Sequence, residues 1–365
     1  MVDYSKRRGA VRRKLKQEGL DVLLVTDETN VTYLTGFTGD SSYLLLAKSA
    51  SEDKLLSDSR YTTQIRDECA DLKTHIRDAS STLLDSITRV CKSAKSKSVG
   101  FESNHVSKSL FDKLDAKVES ELVGTEDWSE SVRMIKDKTE IKKIRESIRV
   151  NQKAFSVIRA QLSGEQTERE IAHNLEHQIR RFGGSGCSFD PIVGVGPRSA
   201  LPHGRPSYTR IEEHGFVLID WGAKVDGYAS DLTRVLVTAK IPPKIRKIYE
   251  VVLSAQLAAI AKIRPGVSFK AVDAVARRVI DKAGFGKKFG HGLGHGFGLQ
   301  IHESPFMNPV REGEFQPNMV VTVEPGIYLP DVGGVRIEDD VLVTKDGCEV
   351  LSDLPNSLDA NVVDI

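Results

Sequence analysis

Four carboxylates sit in or beside apolar, β-branched runs toward the end of the chain: Asp220 in VLIDWG, Asp231 in ASDLTR, Glu324 in VVTVEPG and Glu338 in VRIEDD. Such runs read as buried strands. An ionised carboxylate left unpaired among apolar neighbours is costly, so the fold must bring these acids to cations. Arg234 and Arg336 could neutralise one or two of them, whereas a pair of divalent ions could neutralise all four. The sequence also indicates how the strands meet. Segment 224–227, KVDG, holds an Asp-Gly hairpin turn. With Asp226 and Gly227 at its tip, Asp220 lies opposite Thr233. Asp231 then falls two residues along on the same face, where diagonal neighbours are about 7–8 Å apart. Val320–Glu324 alternates toward Glu324, and Val335–Val343, read as one strand, puts Arg336 and Glu338 on one face.

A glycine-studded strip, FGHGLGHGFGLQIHESP (289–305), carries His291, His295 and His302 among five glycines between 290 and 298. Each glycine costs a helix about 1 kcal/mol relative to Ala. The strip is therefore expected to be extended or looped, with backbone approaching something closely. Neutral imidazole is the commonest metal ligand and transfers protons near neutral pH. The plain alternative is a surface loop with incidental histidines. His302-Glu303 does not begin an H-E-x-x-H helix, because Phe306 stands where the second histidine would be, and Glu303 reads as structural. His173 and His177 are one helical turn apart, a spacing that can bind metal, but no acid cluster is visible beside them, so they read as solvated-face residues. His203, in LPHG, is by itself a surface-loop histidine.

The rest of the chain supplies the frame. Residues 7–19 read as a helix ended by Gly19, Leu20–Val25 as a buried strand, and Val31–Leu34 with Tyr43–Ala47 as a strand-like pair. Lys54–Ser57 and Ser98–Phe101 are short strands and Tyr61–Asp71 is helical, which argues an α/β layer domain. It lacks a phosphate-binding glycine motif, and a lid or oligomerisation role is expected. GTEDWSES breaks the periodicity near 123–132, dividing the chain into domains 1–130 and 131–365. Beyond it, Ile141, Ile144, Ile148, Phe155, Ile158 and Leu162 form one helical stripe. Thr167 and Glu170 form a capping box ahead of a second helix ended by Gly183. The layout recurs in helix Ile245–Ile263 and a helix opened by Gly266–Ser268 and ended by Gly284, which suggests an internal duplication.

Lys and Arg number 52 against 51 Asp and Glu, so no electrostatic footprint for nucleic acid exists. Cys69, Cys91, Cys187 and Cys348 form no C-x-x-C pair, which fits a reducing compartment. The basic N-terminus lacks a signal-peptide core, and no run is long enough to span a bilayer. A cytoplasmic location without a membrane partner is expected.

Together, Asp220, Asp231, His295, Glu324 and Glu338 resemble the five-ligand site of the pita-bread metallopeptidases. That family includes methionine aminopeptidase, prolidase (Xaa-Pro dipeptidase) and aminopeptidase P. The likeness extends through GHGLGHGFGLQIHESP, VEPGIY (323–328) and GGVRIEDD (333–340), and covers about 134–365. TGFTGDSSYLLL (35–46) and SDSRYTTQ (57–64) resemble the creatinase-type N-domain of the Xaa-Pro peptidases, most like the bacterial aminopeptidase P branch.

The fold class this resemblance implies is an α/β N-terminal domain plus an α+β pita-bread catalytic domain. It implies two divalent metal ions, Mn²⁺ first, with Zn²⁺ or Co²⁺ as alternatives. Asp220 would hold one and His295 the other, Asp231 and Glu338 would bridge, and Glu324 would serve the His295 side and shuttle a proton. His203 and His302 would hydrogen-bond the scissile carbonyl and the developing oxyanion. His291 would shape the proline pocket, Arg336 would orient a carboxylate ligand, and Tyr328 would line the site. The implied activity is a dinuclear-metal Xaa-Pro aminopeptidase, acting on peptides with proline second, in a homodimer or larger homo-oligomer. The alternative is an Xaa-Pro dipeptidase (prolidase), which differs in the room left beyond the proline. A non-catalytic pita-bread binding module is the remote alternative. Methionine aminopeptidase in its minimal form has no use for the preceding domain, and metal-free creatinase is argued against by the intact ligand set.

Overall fold

The computed structural model describes residues 2–238 and 241–364. Its internal packing divides the chain into two units, Met1–Arg133 and Met134–Ile365. The first comprises α1 (Tyr4–Gln17), β1 (Val22–Val25), α2 (Glu28–Thr35), β2 (Tyr43–Ala47), β3 (Lys54–Asp58), α3 (Thr62–Glu68), β4 (Lys73–Arg77), α4 (Leu83–Ser93), β5 (Ser98–Glu102), α5 (Lys108–Asp115), β6 (Glu121–Thr125) and α6 (Trp128–Arg133). The strands form one sheet in the order β4-β3-β2-β1-β5-β6. Pairs β1–β5, β3–β4 and β5–β6 are parallel and the others antiparallel. The VLLV run of β1 is buried along its whole length, as a strand covered on both faces requires.

One expectation fails here. Val31–Leu34 is not a strand but lies inside α2. Asp27 caps that helix by accepting from the Asn30 N–H at 2.9 Å, and Gly36, with φ +84°, closes it. The β preference of VTYL is weak beside two well-formed caps.

The second unit opens with α7 (Lys138–Ala160) and α8 (Glu168–Arg181), followed by β7 (Gly186–Cys187), β8 (Ile192–Val195), β9 (Phe216–Trp221), β10 (Ala223–Val225), β11 (Tyr228–Ala229) and β12 (Leu232–Val237). A second helix pair, α9 (Pro243–Ile260) and α10 (Phe269–Lys282), precedes β13 (Gly294–Gly296), β14 (Glu303–Met307), β15 (Val320–Val323), β16 (Gly326–Leu329), β17 (Gly333–Arg336), β18 (Asp339–Val343) and β19 (Cys348–Val350). The apolar stripes of α7 and α8 pack on β8, β9 and β12, with Phe155 stacked on Trp221 at 4.2 Å between ring centroids. Those of α9 and α10 pack on β12 and on β15 to β18. The Thr167–Glu170 capping box forms as read.

Two local features position the site. Asp226 (φ +48°) and Gly227 (φ +84°) occupy the tip of the 224–227 turn, and Asp220 pairs with Thr233. The second corrects the single strand expected over Val335–Val343. The chain breaks at Ile337-Glu338, with β17 pairing β16 while β18 pairs β15 and β19. At the break the Glu338 N–H donates to the Thr233 carbonyl at 3.3 Å, so the glutamate leaves its own sheet and joins the hairpin. Among the described residues no helix is long and apolar enough to cross a membrane.

Candidate active site

The hairpin and the last strands deliver their acids to one place. Asp220 near the end of β9, Asp231 just before β12 and Glu338 at the β17–β18 break each bring a carboxylate oxygen within 4.8 Å of the others. His295 lies in β13, where a bulge between His295 and Gly296 re-aims the side chain. The alternating glycines are needed there. A Cβ at Gly294 would stand 2.2 Å from the Thr322 carbonyl, and one at Gly296 2.4 Å from that of Ser304. His295 Nε2 is 3.3 Å from Glu324 Oε1 and 3.7 Å from Asp231 Oδ2, which links all five residues into one cluster.

The cluster is short of positive charge. Its one guanidinium, Arg336, donates to Asp220, to Thr233 Oγ1 at 3.1 Å and to the Tyr328 hydroxyl at 2.7 Å. The Thr233 hydroxyl donates to Glu338 Oε2 at 2.6 Å. Asp220 Oδ1 and Glu338 Oε1 are buried and, among the described residues, have no hydrogen-bond partner. Burial, then the neighbouring carboxylates, push Asp231 and Glu338 well above the usual carboxylate range. Burial also raises Asp220, with Arg336 opposing it. For Glu324 burial acts in the same direction, but the hydrogen bond and charge of His295 outweigh it and hold the acid at about 2. Three buried acids and the half-buried Glu324 beside one arginine cannot all remain ionised without further cations.

His295 sharpens the point. Its Nδ1 lies 3.1 Å from the Gly296 carbonyl, an acceptor for a proton there, and its Nε2 faces two carboxylates. Burial works against a charged ring, but the hydrogen bond and charge of Glu324 outweigh it and raise the imidazole's pKa. Between Nε2 and these carboxylates a cation must sit, either a proton or a metal ion. A proton can serve once; the orphaned oxygens of Asp220 and Glu338 ask for more. One imidazole with four carboxylates is a donor set that suits hard to borderline divalent ions, so the residues fit the metal pair.

A cavity of about 490 Å³ opens over this cluster. His203, Asp220, Asp231, His291, His295, His302, Glu324, Arg336 and Glu338 all line it. Tyr328 does not; it stands behind the wall, bonded to Arg336 and, at 2.9 Å, to His291 Nε2. His291 Nδ1 is 2.7 Å from the Gly292 carbonyl, so both ring nitrogens are occupied and His291 offers the cavity only its ring. The His302 ring lies 4.4 Å from that of His295, and burial followed by that neighbour's charge lowers its pKa. His173 and His177 are exposed on α8, away from this set.

A family model for "Metallopeptidase family M24" matches residues 142–345, and one for the "Creatinase/Prolidase N-terminal domain" matches residues 7–135. The chain belongs to metallopeptidase family M24. This M24 peptidase is 34% identical to an Xaa-Pro dipeptidase of Pyrococcus horikoshii, over 93% of its own length and 94% of the relative's. It superposes on the solved Xaa-Pro dipeptidase from Bacillus anthracis with TM-score 0.94 and 34% identity, covering 99% of this chain and 100% of the other. For the X-Pro aminopeptidase from Thermotoga maritima the TM-score is 0.87 and the identity 36%, covering 96% and 100%. The two-domain pita-bread fold is thereby established.

Several residues that build this M24 site escaped the sequence reading. Thr233 serves both Glu338 and Arg336. Thr322 accepts from the His295 N–H at 3.1 Å and donates to Glu324 at 3.0 Å. Each threonine could have been found from register, Thr233 as the residue opposite Asp220 and Thr322 as the residue two before Glu324. Lys136 had no such signal. Its ammonium meets Glu303 at 2.7 Å, with both side chains almost wholly buried, and so anchors the strand that begins just after His302.

Proposed function

We propose that this M24 peptidase hydrolyses Xaa-Pro dipeptides, using two divalent ions held by Asp220, Asp231, His295, Glu324 and Glu338. The observation that carries the reading is the crowding of carboxylate oxygens from Asp220, Asp231 and Glu338 within 4.8 Å of one another, beside Glu324 and His295, with Asp220 Oδ1 and Glu338 Oε1 unpartnered among the described residues. Divalent cations would relieve that excess of negative charge. When bound, the ions would supply Lewis acidity and bring the pKa of water toward neutrality. Manganese is the metal proposed, on the oxygen-rich donor set.

The chain's own groups do the rest. Glu324 would accept the proton of the attacking water and pass it to the proline nitrogen as that nitrogen leaves. His203 and His302 line the cavity and make no hydrogen bond to other described residues, which leaves them free to donate to the scissile carbonyl. An X–Pro imide nitrogen carries no N–H, so it must be recognised by ring shape rather than by a donor. The rings of His291 and Phe306 line the same cavity and can wall in the proline.

The sequence reading placed the aminopeptidase first. The dipeptidase moves ahead because relatives named Xaa-Pro dipeptidase match nearly the whole chain, and the Bacillus dipeptidase superposes more closely than the Thermotoga aminopeptidase. The likeness to that aminopeptidase keeps it as the second reading. Digestion of Ala-Pro, Ala-Pro-Ala and Met-Ala-Ser side by side in Mn²⁺ tests both. Ala-Pro is expected to be cleaved fastest; Ala-Pro-Ala cleaved alone would assign the aminopeptidase. Equal cleavage of Met-Ala-Ser would remove proline selectivity.

A further inference from the structure

Two arginines line the cavity, and their situations differ. Arg336 is buried and committed to Asp220, Thr233 and Tyr328. Arg205 is exposed, and among the described residues its guanidinium makes no hydrogen bond or ion pair, although the acid Asp190 lines the same cavity. Its backbone is held firmly. The Arg205 carbonyl accepts from Arg198 Nη2 at 2.7 Å, and Arg198 Nε in turn donates to Glu168 at 2.9 Å. Glu168 is fully buried and also accepts the Ser207 N–H at 2.7 Å, while the Pro202 carbonyl accepts from Arg336 at 3.4 Å. The loop is thus pinned on both sides of a side chain that has nothing to bind.

We infer that Arg205 docks the free carboxylate of the substrate's C-terminal proline. The inference rests on the dipeptidase reading above and supplies its selectivity. A guanidinium presents a planar fork that matches a carboxylate with two parallel hydrogen bonds, and a pinned loop lowers the ordering cost of presenting it. In an Xaa-Pro dipeptide the scissile carbonyl and the terminal carboxylate belong to adjacent residues, about 4 Å apart. His203 and Arg205, two residues apart on one loop and facing one cavity, can therefore meet both groups at once. A longer peptide carries a neutral amide at the same place and forfeits the charged contact.

The test compares Ala-Pro, Ala-Pro-NH₂ and Asp-Pro-NH₂ on the Mn²⁺-loaded wild-type enzyme and on Arg205→Met and Arg205→Lys. The exposed position makes both variants compatible with folding. Arg205→Met is expected to raise KM for Ala-Pro about tenfold while kcat holds, the size of a lost charge-assisted hydrogen bond. KM for Ala-Pro-NH₂ should not move, and Arg205→Lys should recover part of the loss. An equal KM shift for acid and amide, or no shift, overturns the inference. A shift confined to Asp-Pro-NH₂ overturns it too, by assigning Arg205 to acidic side chains. Should neither proline substrate be cleaved, the dipeptidase reading itself fails, and calorimetric titration with Ala-Pro and Ala-Pro-NH₂ still decides the docking. A wild-type preference for the acid that Arg205→Met abolishes supports it; no preference in the wild type refutes it.

Discussion

Both units of the chain place acids in or beside strands, and they treat them differently. In the unit Met1–Arg133, Asp53 pairs with Arg12 and with Arg8 at 3.3 Å and accepts the Ala47 N–H at 3.1 Å. Asp58 takes two hydrogen bonds from Arg60 at 2.9 Å and one from Arg77 at 3.0 Å. In the unit Met134–Ile365, Asp220, Asp231, Glu324 and Glu338 share one arginine and one histidine, and two of their oxygens have no partner among the described residues. The contrast persists between neighbours. Asp339 follows Glu338 directly, yet it is satisfied by Arg234 at 2.7 Å, Ser352 at 2.6 Å and Gln256 at 2.9 Å. Burial therefore does not distinguish a functional acid from a structural one. Crowding does: Asp220, Asp231 and Glu338 bring oxygens within 4.8 Å of one another, whereas Asp340, whose Oδ1 is also unpartnered among the described residues, stands outside that group.

The comparison can be broken by removing one acid from each set. Asp231→Asn should reduce Ala-Pro hydrolysis to background, yet the melting temperature of the chelated protein should be unchanged or higher, because one of several crowded acids has gone. A clear drop in that temperature would make Asp231 a structural acid like Asp53. Asp53→Asn should do the reverse. It leaves the buried Arg12 without its carboxylate, while Arg8 keeps Asp71, and breaking such a buried pair typically costs about 3–5 kcal/mol. Urea unfolding should register that loss while metal content stays at the wild-type level.

A narrower effect separates the unbonded histidines from the ligands. His302→Ala should lower kcat about 10²–10³-fold, as loss of an oxyanion donor does, with metal stoichiometry retained. A rise in KM alone would make His302 a ground-state contact. The smallest effect concerns pH. Hydrogen bonds from Arg60 outweigh burial and lower Asp58 to about 2, below the roughly 3.9 of a free aspartate. A lowered carboxylate stabilises the fold above its unfolded pKa, and that contribution fades as pH falls toward the folded value. Asp58→Asn should thus lower the melting temperature at pH 7, and the gap from wild type should narrow between pH 4 and pH 2. A gap independent of pH would remove the charge from the explanation.

Much of the site was legible because strand register is a local rule. One Asp-Gly turn was enough to place Asp220 opposite Thr233; Arg336 and Glu338 do line one cavity, but not as alternating residues of a single strand. The break at Ile337-Glu338 was not legible, since alternation continues through it and only the switch of sheets reveals it. Val31–Leu34 misled because its β-rich composition is local, whereas the fate of the segment is set by caps at Asp27 and Gly36 that lie outside it. The occupied nitrogens of His291 and the Lys136–Glu303 pair depend on partners far off in sequence, which no spacing encodes.

The central claim is that the acids of the second unit lack partners because they hold metal. Calorimetric titration of Mn²⁺ into exhaustively chelated wild-type protein, with Ala-Pro hydrolysis followed at each point, tests it directly. The account predicts saturation at about two ions per chain, as a two-metal site requires, with activity absent at the start and rising with occupancy. Full activity in the chelated protein, or no heat of binding, would contradict it.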